Sequence, residues 1–196
     1  PEFFSKGDVP FISPDGNKMF YVLLKIIDGK RIEIIMVRDR TETGWSEPYE
    51  LPEHINSTPL IHWQASVDRD GNLYYGANFG DGDNIYYSEL KNGTYSEPKQ
   101  LEFLKDINAF SPYIAHDGSY MIISIENEGE RMALMFRKDD GSWTEPIDIG
   151  KYIGREMGYC PIVTHDSNFL FFLSGLEKMY APYWVDASFI EELRPR

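Results

Sequence analysis

The chain has little cysteine: Cys160 is the single one among 196 residues. That excludes an intrachain disulfide and a cluster of thiolate metal ligands. Positive charge is also scarce, with 19 Lys and Arg against 32 Asp and Glu, a formal net charge of −13. Such a surface repels a phosphate backbone, so nucleic acid is not an expected partner. Long apolar runs are missing too. None approaches the roughly 18 residues of a membrane-spanning helix, and the longest, such as Phe169 to Leu173, have strand length. The opening residues Pro1-Glu2-Phe3-Phe4 do not read as a signal peptide and carry no initiating methionine. No 3.6-residue apolar period is sustained; Ser188 to Leu193 is too short to matter.

What is present points to strands. Hydrophobic residues make up 42% of the chain, enough for a globular core, and aromatics 15%, with 13 Tyr and 12 Phe. Flat rings pack well on pleated surfaces.

A repeat organises the sequence. Phe11-Ile12-Ser13-Pro14-Asp15-Gly16 leads into Met19 to Val22, and Ser66-Val67-Asp68-Arg69-Asp70-Gly71 into Leu73 to Tyr75. Tyr113-Ile114-Ala115-His116-Asp117-Gly118 leads into Met121 to Ile123, and Ile162-Val163-Thr164-His165-Asp166-Ser167 into Phe169 to Phe172. The anchoring residues Asp15, Asp70, Asp117 and Asp166 are 55, 47 and 49 positions apart. A second motif keeps the same register: Trp45-Ser46-Glu47-Pro48, Tyr95-Ser96-Glu97-Pro98 and Trp143-Thr144-Glu145-Pro146. A further strand lies between the two motifs in each unit. Asp-Gly pairs signal hairpins because glycine accepts positive φ, and proline suits an edge strand.

Each unit therefore reads as four antiparallel strands, and a unit of this length, repeated, is a propeller blade. The expected fold is all-β: a β-propeller with four visible repeats at approximately 8–51, 62–101, 109–149 and 158–193. The fourth repeat has no Trp-Ser-Glu-Pro strand. Two arrangements stay open: Pro1 to Ser5 completes that blade and closes a four-bladed ring, or the chain is part of a five- or six-bladed ring. An open array would expose a blade face, and a homo-dimer is then expected.

These motifs, with Ile55-Asn56-Ser57 and Ile107-Asn108, resemble the TolB-like, WD-repeat-like β-propeller repeats. The resemblance covers the whole chain. It implies a bacterial envelope or secreted protein, periplasmic or extracellular, acting as a binding or interaction module.

The repeat also sorts the candidate residues. Asp15, Asp70, Asp117 and Asp166 recur in hairpins, where an Asp side chain bonds nearby backbone amides, so they read as structural. Glu47, Glu97 and Glu145 read the same way. His116 and His165 occupy equivalent turn positions in different blades, so no metal site is expected of them. Asn78 to Asn84 lacks the terminal bidentate Glu of a calcium loop. Cys160 reads as a small buried hydrophobe. No cofactor is expected.

Better candidates break the pattern. His62, Trp63 and Gln64 enter the second inner strand, and an indole flanked by hydrogen-bonding groups suits a sugar ring. Arg155, Glu156 and Tyr159 enter the fourth on the same rim. The leading reading is a non-catalytic binding module with a glycan, peptide or protein partner on that rim. The alternative is a glycoside hydrolase of sialidase-like type, with Glu156 and Asp8 as its carboxylates. The sialidase motif itself is not matched, because Gly16 follows Asp15 directly and no Thr-Trp comes after.

Overall fold

A computed structural model describes residues 9–27, 29–57, 61–126, 130–176 and 179–195. Asp8 and Pro1 to Ser5 lie outside these residues. The described chain forms successive antiparallel sheets arranged as the four blades of a β-propeller. The first blade holds β1 (Phe11–Ile12), β2 (Lys18–Ile27), β3 (Lys30–Thr41), β4 (Gly44–Trp45) and β5 (Tyr49–Glu50). The second holds β6 (Ile61–Val67), β7 (Leu73–Asn78) and β8 (Asp83–Ser88), then the small hairpin β9 (Leu90–Lys91) and β10 (Thr94–Tyr95), then β11 (Lys99–Gln100). The third holds β12 (Ala109–Ile114), β13 (Tyr120–Glu126), β14 (Glu130–Phe136) and β15 (Ile147–Asp148). The fourth holds β16 (Tyr159–Val163), β17 (Phe169–Leu176) and β18 (Met179–Asp186), three strands among the described residues. The short helices α1 (Gly150–Ile153) and α2 (Phe189–Glu192) flank it in sequence.

The hairpin aspartates do what an Asx turn requires. Asp15 accepts from the Asn17 amide at 3.0 Å, Asp117 from the Ser119 amide at 2.9 Å, and Asp166 from the Asn168 amide at 3.1 Å. The second blade differs. There Asp68, not Asp70, takes the amides of Asp70 and Asn72, each at 3.0 Å. Glycine at φ +73, +81 and +73 turns the chain at Gly16, Gly71 and Gly118, and Ser167 takes that conformation at φ +59 in the fourth blade.

The second motif opens on a short antiparallel pairing, of Trp45 with Arg40, Tyr95 with Leu90 and Trp143 with Arg137, and continues as a staple. The Ser46 hydroxyl accepts from the Asp39 amide at 3.0 Å, Ser96 from the Glu89 amide at 3.0 Å, and Thr144 from the Phe136 amide at 3.0 Å. The same three residues donate their own amides back to the Asp39, Glu89 and Phe136 carbonyls at 2.9 Å, and β5, β11 and β15 start only after the proline. The asparagines of the Ile-Asn segments act similarly between blades. Asn56 accepts from the Ile35 amide at 2.8 Å, and Asn108 from the Asp83 amide at 2.7 Å.

Blade packs on blade through alternating residues. The face of the third blade carrying Met121, Ile123 and Met135 joins Tyr74 and Ile85 of the second. Its other face, with Tyr113, Ile122 and Leu134, shares a core with Leu170 and Phe172 of the fourth. Phe11, Phe20 and Val37 of the first blade enter that same core.

Candidate functional site

Three inner strands share one irregularity that positions the centre. Each of β6, β12 and β16 bulges, between His62 and Ala65, Phe110 and Tyr113, and Tyr159 and Ile162. Ser111 and Cys160, at equivalent bulge positions, adopt φ +47 and +54. A bulge re-aims side chains, and here it turns polar ones inward. The Gln64 amide donates to the Pro161 carbonyl at 2.8 Å, and the Ser66 hydroxyl to the Pro112 carbonyl at 2.8 Å. Ser111 Oγ lies 3.7 Å from Cys160 Sγ. Side chains of three successive blades thus bond across the axis.

His62 is 1% exposed and Gln64 1%. His62 Nδ1 donates to the Glu33 carbonyl at 2.7 Å, which fixes the proton on Nδ1. Burial holds the His62 pKa below its ordinary value, outweighing the carbonyls that favour the charged ring. Trp63 is half-buried. Its indole donates to Asp83 at 2.9 Å and its ring lies 4.8 Å from that of Phe110. The rim of the second blade is therefore pinned, with Trp63 as its accessible member.

Arg155 and Glu156 are exposed just after α1. The Arg155 guanidinium lies 4.3 Å from the centre of the Tyr183 ring. Arg155, Glu156, Met157, Ser174 and Tyr183 line a cavity of about 380 Å³. Tyr159 sits at the other side of the sheet edge-on to Tyr180, their ring centres 4.9 Å apart. The cavity thus brings Arg155 and Glu156 together, while Tyr159 is not among its walls; no contact among the described residues joins the Arg155 or Glu156 side chain to those of His62, Trp63 or Gln64.

A surface that no motif announced lies beside Tyr159. On β17 and β18, Phe169, Phe171, Tyr180 and Trp184 are exposed, Trp184 by 62% and Phe171 by 43%. Phe171 and Trp184 are direct cross-strand partners, so their rings emerge on one sheet face. In the third blade the corresponding positions, Ile122 and Leu134, are fully buried by the fourth. No fourth strand pairs with β18 among the described residues. The sequence signal was available: repeat four lacks the Ser-Glu-Pro staple, yet keeps its aromatics.

No family model matches the chain, and no curated protein matches it. Solved structures do. The chain is similar to TolB from Acinetobacter baumannii, with a TM-score of 0.54 and 14% identity over 91% of this chain and 40% of that one. It is also similar to a puromycin hydrolase, with a TM-score of 0.51 and 13% identity over 90% of this chain and 26% of that one. The fold is a β-propeller. Within that class its fold is similar to the TolB propeller, and the chain spans less than half the length of either structure. No helix among the described residues is long and apolar enough to cross a membrane.

Proposed function

We propose that this chain is a non-catalytic binding module that engages a polypeptide partner through its fourth blade. The observation that carries the reading is the exposed aromatic face of Phe169, Phe171, Tyr180 and Trp184. Exposed aromatics grouped on one rigid sheet are what protein interfaces use as anchors. Tyr159 joins this face to the rim, where Arg155 and Glu156 supply the polar edge of an interface. Trp63 is the accessible residue at the rim of the second blade, with His62 and Gln64 buried beside it. The buried carboxylates support a non-catalytic role, because each is committed to structure. Glu33 accepts from the His62 amide at 3.2 Å, Asp68 from turn amides, and Asp83 from the Trp63 indole at 2.9 Å. The TolB-like repeat favours a periplasmic or extracellular setting.

A glycan is the second ligand class, favoured by the Arg155–Tyr183 cavity, where an aromatic face, a guanidinium and the Glu156 carboxylate converge. Peptides selected from a random displayed library, measured by fluorescence polarisation, and a glycan array separate the two. The polypeptide reading expects selected peptides to lose about ten-fold or more in affinity with Trp184→Ser. Glycan binding abolished by Arg155→Ala, with no peptide dependence on Trp184, overturns it.

A further inference from the structure

The blade turns bring His116 and His165 together, although 49 residues separate them in sequence. Their ring centres are 4.8 Å apart, with the ring planes tilted by 39°. The position of each ring is set by a fixed backbone. The His116 carbonyl accepts from the Arg69 amide at 2.8 Å, tying the third turn to the second. The His165 turn is closed by the Ser167 amide on the Thr164 carbonyl at 2.8 Å and by the Thr164 hydroxyl on Asp166 at 2.6 Å. No hydrogen bond holds either imidazole among the described residues. Both rings line a cavity of about 430 Å³ at the hairpin end of the axis, with Phe11, Ser13, Ile162 and Thr164 among its walls.

We propose that His116 and His165 form a two-imidazole site for a divalent transition-metal ion of the zinc, nickel or copper class. Neutral imidazole is a preferred ligand for these ions. Two rings from adjacent blades at this separation need only a side-chain rotation to aim a nitrogen each at one ion, and His165 is exposed enough to make it. Water completes the coordination, since the described residues hold no group of three or more His, Cys, Asp or Glu placed to share a metal. The field favours a cation: the chain carries a net charge of −13, and Asp15, Asp117 and Asp166 sit in the same three turns. Those carboxylates stay in their Asx turns and act at a distance. An ion held here would clip the third blade to the fourth at the hairpin rim.

The two histidines are dispensable to the turns themselves, because the first two repeats place Pro14 and Arg69 at the same positions. That makes His116→Asn and His165→Asn usable tests. Isothermal titration of the purified protein with nickel chloride or zinc chloride at about pH 7.5 is expected to give one site per chain. Each single variant weakens that site by about ten-fold or more. Copper titration adds a spectroscopic signature, nitrogen hyperfine splitting, that is lost in the double variant. His54→Ala is expected to leave the site intact, since that ring already bonds the Tyr95 carbonyl at 3.0 Å. A double variant with the wild-type circular dichroism spectrum that still binds one ion with wild-type affinity overturns the proposal, as does a wild type that binds none.

Discussion

The side-chain amide of Gln64 donates to the backbone carbonyl of Pro161 at 2.8 Å, joining the second blade to the fourth across the axis. Both groups are buried, so the bond matters mainly because breaking it strands a polar atom. Gln64 Oε1 is buried without a hydrogen-bond partner among the described residues. The two oxygens therefore pull in opposite directions in a mutant. Gln64→Ala leaves the Pro161 carbonyl unpaired and opens a cavity, a loss of about 2–4 kcal/mol. Gln64→Leu also strands the carbonyl, but it keeps the volume and removes the unpaired oxygen, and is expected to lose about 1 kcal/mol. Urea midpoints of the two variants check the order. Equal losses would mean that the hydrogen bond, not packing, dominates the centre.

His62 gives stability a pH dependence of definite sign. Its folded-state pKa is held below the ordinary value by burial. As pH falls through the unfolded value near 6.5, the unfolded chain takes up a proton that the folded chain refuses, and stability is lost. His116 acts in the same direction, its pKa lowered first by burial and then by His165. Falling pH also relieves the net repulsion of an acidic chain, so the wild-type profile alone is ambiguous. The discriminating measurement is the difference in unfolding free energy between wild type and His62→Gln. That difference is expected to shrink from about pH 7.5 to about pH 5.5. A constant difference across that interval contradicts the assignment.

Much of this architecture was legible because the repeat recurs with its turn chemistry. Asp-Gly hairpins placed the first two strands of three blades and Asp166-Ser167 those of the fourth, and repeat four, without a staple motif, shows three strands among the described residues. Other features depend on tertiary placement that a linear pattern does not encode. Asp68 and Asp70 both fit an Asx turn, and only the register of β6 with β7 selects Asp68. His62 and Gln64 read as rim residues, but the bulge between His62 and Ala65 turns Gln64 onto the axis while His62 packs against Tyr75 at 5.6 Å. The approach of His116 to His165 arises from blade-to-blade rotation, which no spacing within a repeat reports.

The fourth turn replaces the usual glycine with Ser167, at φ +59. A residue with a Cβ pays steric strain there of about 1–2 kcal/mol, while glycine has a larger unfolded-state entropy worth about 0.5–1 kcal/mol. Ser167→Gly is therefore expected to raise stability by about 0.5 kcal/mol, and Gly118→Ala, at φ +73, to lower it by about 1 kcal/mol. Paired thermal or urea denaturation reads both. A stabilising Gly118→Ala would show that the third turn relaxes away from positive φ.

Adjacent residues on β17 divide the energetics of the fourth blade. Phe172 is 3% exposed and packs into the shared core, whereas Phe171 points to the opposite face and is 43% exposed. Phe172→Ala is expected to cost about 3–5 kcal/mol through lost burial and a cavity. Phe171→Ser and Trp184→Ser remove atoms that solvent already reaches, and are expected to change stability by about 0.5 kcal/mol or less. The contrast is a direct reading of which face is covered in solution. Should Phe171→Ser destabilise as strongly as Phe172→Ala, with a loss that grows with protein concentration, the aromatic face is occupied by a second copy of the chain. A small, concentration-independent effect leaves that face free for a different polypeptide.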